Sequence, residues 1–261
     1  MLLENKVVVI YGAAGNVGRA MARAFAGEGA RVFLTGRTLR PVEAVAREIA
    51  SGGGRAEAAE VDATEEGAIE RHLDSVLAKV GRLDVSVNES GIPQAGIQGI
   101  PLVDLTLESF LRPVEHYLRS NFLTARAAAR RMRGPGVILM HTPEPARIGL
   151  PLVGGMGPAW ASMEALTRSL SAELAARGVR AVCLRSSGIP ETSTIDVVFD
   201  LHARALGIER GDFLKLVESR SHRQRSTSLA ELTGAAVFLA SDAAAGITGT
   251  VINLTGGLAV D

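Results

Sequence analysis

The chain has 261 residues, 47% of them apolar and 21% charged, and its 28 basic and 28 acidic side chains cancel. That balance leaves no electrostatic footprint for nucleic acid or an anionic membrane surface, so neither is expected as a partner. A lone cysteine, Cys183, excludes an internal disulfide and a cysteine-built metal cluster, and the histidines show no metal-ligand spacing.

The length suits one α/β domain over residues 1–261. The strand pattern Lys6-Val7-Val8-Val9-Ile10 starts close to Met1. No signal peptide is therefore predicted, and no apolar run reaches the length of a bilayer span. A cytoplasmic protein is the expectation. Short β-branched runs alternate with longer Ala-rich amphipathic stretches. In chain order, strand 6–11 leads to helix 17–27, strand 31–35 to helix 40–51, strand 56–61 to helix 65–80 and strand 83–88 to helix 106–132. Strand 136–141 then leads to helix 158–177, strand 179–185 to helix 229–240, and 250–254 is the last strand. Such alternation builds βαβ units around a parallel sheet covered on both faces. Right-handed crossovers make this a Rossmann-type, doubly wound, seven-stranded sheet. Two stretches break the pattern. Pro143, Pro145, Pro151 and Pro158 with Gly149, Gly154, Gly155 and Gly157 make 143–158 a loop, and 186–228 reads as irregular with one or two short helices. Both follow strands, so both are expected over the ligand site.

Tyr11-Gly12-Ala13-Ala14-Gly15-Asn16-Val17-Gly18 follows the first strand and opens a helix. Gly12 permits a tight turn, small side chains let backbone N–H groups approach a pyrophosphate, and the helix N-terminus stabilises its charge. The segment resembles the Thr-Gly-x-x-x-Gly-x-Gly turn of the short-chain dehydrogenases/reductases. Tyr11 stands for Thr, and Asn16 for the middle Gly, with a glycine one place earlier at Gly15. Asn tolerates left-handed backbone, so the turn is expected to survive. Val61-Asp62-Ala63 ends the third strand, where the family's Asp contacts the adenine. Asn88-Glu89-Ser90-Gly91 resembles the family's Asn-Asn-Ala-Gly motif with two positions changed. Phe238-Leu239-Ala240-Ser241-Asp242, Ile247-Thr248-Gly249 and Gly256-Gly257 resemble the last helix and strand. The resemblance covers essentially the whole chain. It implies a dinucleotide site at Gly12, Ala14, Gly15, Asn16, Val17, Gly18, Asp62, Ala63, Asn88, Ser90, Gly91, Trp160 and Ile189. After the second strand, Leu34-Thr35-Gly36-Arg37-Thr38 offers no carboxylate for a ribose 2′-hydroxyl. Arg37 could instead pair with a 2′-phosphate, which favours NADP(H) over NAD(H).

The middle of the chain departs from the family. Its enzymes use a Tyr-x-x-x-Lys pair, and here neither Tyr11 nor Tyr117 has a Lys four residues on. Leu166-Thr167-Arg168-Ser169-Leu170 resembles the helix after the family's Lys and puts Trp160 at the Lys position and Met156 at the Tyr position. Met156-Gly157-Pro158-Ala159-Trp160-Ala161-Ser162-Met163-Glu164-Ala165 also resembles the enoyl reductases of this superfamily. Their Tyr lies seven residues before Lys, which lands on Val153. Thr142 is the best match to the family's Ser at the end of the fifth strand, and Tyr117 to the Asn of the preceding helix. The four catalytic roles thus fall on Tyr117, Thr142, Met156 and Trp160. General acid catalysis is typically worth about 10²–10⁴ in rate. Met156 has no proton to give, and Trp160 has only an indole N–H.

Three substitutes are open. Tyr117 has a phenol, but packing on its helix is the plainer role. His141 carries an imidazole, a common acid–base group, yet it adjoins Thr142 on a strand, so their side chains take opposite faces. A structural histidine is expected. Glu144 would serve as an acid if buried, although most loop carboxylates are solvated. The sequence supports an NADP(H)-dependent oxidoreductase of a small carbonyl, enone or iminium-type substrate that needs no dedicated protein acid. The competing readings are a catalytically silent NADP(H)-binding partner subunit and, more weakly, a non-redox isomerisation or cyclisation. The resemblance also implies a homo-tetramer or dimer formed through helices 106–132 and 158–177.

Overall fold

The computed structural model describes residues 1–260. The strands are β1 Val7–Tyr11, β2 Arg31–Gly36, β3 Arg55–Glu60, β4 Val85–Asn88, β5 Gly136–Pro143, β6 Val179–Ser186 and β7 Thr250–Leu254. The α-helices are α1 Asn16–Gly27, α2 Leu39–Ser51, α3 Glu66–Val80, α4 Leu107–Arg131, α5 Met156–Leu174, α6 Ser193–Leu206, α7 Arg210–Ser219 and α8 Leu229–Ala240. Every pairing is parallel, in the order β3-β2-β1-β4-β5-β6-β7. The order reverses between β1 and β4, and ligands of such sheets bind in the crevice beyond the strand carboxyl ends at that point.

The two-residue period of the strands sorts the core into two layers. Val8 and Ile10 of β1 pack with Met21 and Phe25 of α1 and Leu232 and Val237 of α8. Val7, Val9 and Tyr11 take the other face, against Ile69 and Leu73 of α3, Leu123 of α4 and Met163 of α5. Both faces are covered, which is why the inner strands read as unbroken apolar runs. Local signals set several ends. Ser228 and Glu231 form a reciprocal capping box at the start of α8. Gly81, at φ +74°, ends α3 in the left-handed conformation that glycine adopts freely.

The elements expected from sequence are all present, with ends moved by no more than three residues. The irregular stretch 186–228 holds α6 and α7. They form a small apolar unit of their own around Phe199, Ala203 and Phe213. One buried ion pair ties β6 to α5. Arg185 donates from Nε and Nη2 to the two carboxylate oxygens of Glu164, each at 2.8 Å, with the side chains 3% and 6% exposed. Two-point geometry is what offsets the desolvation of both ions. Arg185→Ala strands the Glu164 charge and should cost about 3–5 kcal/mol in urea unfolding, whereas replacing both partners with apolar residues should recover most of it.

Candidate active site

A cavity of about 730 Å³ opens over the strand carboxyl ends. Gly12, Ala14, Gly15, Asn16, Val17, Gly18, Arg37, Asp62, Ala63, Asn88, Ser90, Gly91, Trp160 and Ile189 all line it. The first turn is packed so tightly that glycine is required. Gly12 sits at φ +70°, and a Cβ there would lie 2.5 Å from the Glu89 carbonyl group. A Cβ on Gly18 would lie 2.5 Å from the Gly12 carbonyl oxygen. The first turn of α1 has no side-chain cap and no acidic residue. Its amides are therefore free to meet an anion, and the turn fits a pyrophosphate. Asn16 does not use the left-handed backbone expected of it. It is the first residue of α1, and its Oδ1 accepts from Ser193 Oγ at 2.8 Å, linking the turn to the start of α6.

Arg37 is exposed at the rim, and no described residue holds its guanidinium in a hydrogen bond or ion pair. Burial raises the Asp62 pKa, but the Thr64 amide and hydroxyl and the Arg37 charge outweigh it, so the carboxyl titrates below its ordinary range. Asn88 Oδ1 accepts from the Ser90 amide at 2.9 Å, and its buried Nδ2 has no protein partner.

The four positions expected to be catalytic do not all come together. Trp160 and Tyr117 line the cavity, with ring centroids 6.2 Å apart. Burial pushes the Tyr117 phenol up to about 12, although its hydroxyl faces the Ile92 backbone and the Gln94 side chain. Two expectations change. Thr142 does not line the cavity. It shares the α5-facing side of β5 with Ile138 and Met140, and its hydroxyl donates to Glu164 Oε1 at 3.1 Å. Met156 is also outside the lining and fully buried. The start of α5 is pressed on α4 so closely that a Cβ on Gly155 would lie 1.9 Å from the Phe110 carbonyl oxygen. Val153, three residues earlier, does line the cavity. The seven-residue spacing to Trp160 is the one the fold presents.

Two features bear on the substitutes left open by the sequence. Glu89, His141 and Ser186, at the ends of β4, β5 and β6, form a half-buried chain. His141 Nδ1 is 3.3 Å from Glu89 Oε2, and Nε2 is 2.9 Å from Ser186 Oγ. The matched strand positions foreshadow it, since parallel register sets residue 89 beside residue 141. The second is Glu144, on a short 3₁₀ turn right after β5. It is 7% exposed, it lines the cavity, and one carboxyl oxygen has no partner. Burial raises its pKa to about 7, against the opposing effects of its own backbone N–H and Arg220. The same cavity is also lined by Leu150, Val153, Val198, Phe199, Phe213 and Val217.

A parallel sheet with a glycine turn at its switch point defines a dinucleotide-binding α/β protein. Residues 12–259 match the family model described as Enoyl-(Acyl carrier protein) reductase. D-threitol dehydrogenase of Mycolicibacterium smegmatis is 29% identical over 260 residues, covering 99% of this chain and 94% of that protein. L-rhamnose 1-dehydrogenase (NAD(P)(+)) of Azotobacter vinelandii is 31% identical over 270 residues, covering 100% and 99%. Among solved structures, a short-chain type dehydrogenase/reductase from Mycobacterium marinum superposes with a TM-score of 0.84 at 28% identity over 99% of this chain and 97% of that one. NAD+-bound xylitol dehydrogenase gives 0.92 at 23% identity, over 98% and 100%, a likeness of fold. The chain belongs to the short-chain dehydrogenase/reductase family of NAD(P)-dependent oxidoreductases.

Glu144 gives the structure a pH signature. The folded state keeps this proton up to about pH 7, while an unfolded Glu loses it near its ordinary value of 4.5. Between those pH values the folded state binds more protons, so stability falls as pH rises and the contribution is gone above pH 7. Urea unfolding at pH 4.5 and pH 8 should show a loss on the order of 3 kcal/mol that Glu144→Gln does not show.

Proposed function

We propose that this protein is a cytoplasmic, NADP(H)-dependent oxidoreductase acting on a small carbonyl, enone or iminium compound through a non-standard site. The observation that carries the reading is the continuity of one cavity. It runs from the glycine turn and Arg37 to an apolar end under α6 and α7 that holds a single buried carboxyl, Glu144. The turn and the α1 N-terminus would hold the pyrophosphate, Asp62 and Ala63 would frame the adenine, and Arg37 would meet a 2′-phosphate. Asn88, Ser90, Gly91, Trp160 and Ile189 would border the nicotinamide. When bound, the dinucleotide supplies or accepts a hydride.

The chain's own residues exclude water and place the substrate. Phe199, Phe213, Leu216 and Val217 make the far wall apolar. D-threitol and L-rhamnose, named for two relatives, are polyhydroxylated and would leave many hydroxyls unpaired against such a wall. A compact substrate with an apolar body fits better. Self-association through α4 and α5 belongs to the same reading, as a dimer or tetramer. Leu118 and Phe122 are exposed on α4 and offer an apolar face for it.

One observation favours a second reading. The sequence resemblance puts Tyr117 and Trp160 at the family's Asn and Lys positions, and their rings lie 6.2 Å apart in the cavity, which suits a protein that binds the dinucleotide without turnover. NADPH oxidation with any substrate of the classes above decides between them.

Two results are expected. In thermal-shift titration, NADPH at 100 times its dissociation constant should add about 2.7 kcal/mol. Arg37→Ala should weaken NADPH by about 10-fold or more, the worth of a charged hydrogen bond, and leave NADH unchanged. In steady-state turnover, Tyr117→Phe should hold kcat within about threefold. A phenol titrating near 12 is a poor proton donor at neutral pH.

A further inference from the structure

The family's proton donor is gone, and the cavity holds two candidate replacements. Glu89, His141 and Ser186 are largely committed to one another, with only Glu89 Oε1 lacking a partner. His141 also shares its strand face with Val137 and Leu139, the side packed on α1 and α8. That is the face opposite α5, and all three residues line the same cavity as Glu144. Glu144 is different. It follows β5 directly, it is more than nine-tenths buried, it lines the cavity, and one of its carboxyl oxygens is buried without a hydrogen-bond partner. The charged and titratable groups near it are few. Arg220, beyond α7, lines the same end. His202 on α6 is bonded to Gln98 at 3.0 Å, and burial lowers its pKa. Tyr117 on α4 faces Ile92 and Gln94.

A carbonyl reductase must deliver a proton to oxygen as hydride reaches carbon. An imine differs, because its nitrogen can take the proton before hydride arrives. What the protein must then offer is one proton and a lasting counter-charge inside an apolar pocket. A buried carboxylic acid offers both.

We propose that Glu144 is the recognition group and proton source for an imine substrate with an apolar body. This rests on the oxidoreductase reading of the same cavity and names its substrate class. The carboxyl proton passes to the C=N nitrogen, and the O–H bond breaks as the N–H bond forms. An iminium then sits against the Glu144 carboxylate as a buried ion pair. Hydride from the reduced dinucleotide forms the new C–H bond, and the C=N π pair becomes the nitrogen lone pair. The imine is reduced to a secondary amine and the dinucleotide is oxidised. Solvent returns a proton to Glu144 once the amine leaves. Burial raises its pKa to about 7, so a protonated carboxyl is available near neutral pH to meet a basic nitrogen. Removal of the Tyr–Lys pair follows from the same chemistry, since no oxyanion develops.

The test uses the full chain and three ring compounds of nearly one shape: 3,4-dihydroisoquinoline as imine, 1,2,3,4-tetrahydroisoquinoline as amine, and 2-tetralone as ketone. The first arm is calorimetric binding with no turnover, in the presence of NADP+. The amine should bind the wild type at least tenfold more tightly than it binds Glu144→Gln, while 2-tetralone should bind both alike. Equal amine affinity for the two proteins would overturn the proposal. Circular dichroism and NADP+ affinity report that Glu144→Gln is folded, and Glu144→Asp should restore part of the amine preference. The second arm follows NADPH oxidation. Imine reduction exceeding ketone reduction by at least tenfold, and lost in Glu144→Gln, supports the assignment. Ketone reduction at or above the imine rate would overturn the substrate class and leave the oxidoreductase reading standing. Glu144-dependent amine binding with no NADPH oxidation would remove the oxidoreductase reading and with it Glu144 as proton source, leaving only an amine-binding site.

Discussion

The contact on which the site depends is between backbones. Gly12 lies so close to the carbonyl group of Glu89, and Gly18 so close to the carbonyl oxygen of Gly12, that no side-chain carbon fits at either place. This locks the β1–α1 turn onto the end of β4, the neighbour across the switch point. It also aims the uncapped first turn of α1 into the crevice rather than into solvent. The start of α6 is tied to the same turn through Ser193 and Asn16. The wall over the apolar end and the anion-binding end are therefore coupled through one hydrogen bond.

A second constraint governs the chemistry. The sheet is buried on both faces, so each strand residue must choose a side, and the last residues of β5 illustrate the result. Thr142 goes to the α5 side and is held by Glu164, which is itself fixed by Arg185. His141 goes to the other side and joins Glu89 and Ser186. Both hydroxyl and imidazole end up inside structural networks. The carboxyl of Glu144, released from strand alternation by the 3₁₀ turn, lines the cavity outside both networks, with one buried oxygen unpartnered. Low dielectric surroundings then hold it protonated near neutrality.

Much of the site was legible because dinucleotide binding is mostly a backbone matter. Gly12, Ala14, Gly15 and Gly18 of the first turn, and the strand ends at Asp62 and Asn88, are read from local pattern, and each lines the cavity. The catalytic end was harder. Spacing put the lost tyrosine at Met156, whereas close packing of α5 on α4 at Gly155 turns Met156 inward and leaves Val153 exposed to the cavity. Thr142 matched the family's serine by position, but its environment, a buried carboxylate twenty-two residues away, has no local signature. Asn16 was expected to bend the turn and instead begins a helix.

The order of strands and helices, the two-sided burial of the sheet and the phosphate-type turn are properties of the amino-acid sequence itself. They follow from periodicity and from glycine's missing side chain, which act within a few residues. The protonation of Glu144, the pairing of His141 with Glu89 and the presentation of Val153 rather than Met156 were decided only in three dimensions. Each depends on desolvation or on packing between segments far apart in the chain, and neither is encoded in any local stretch.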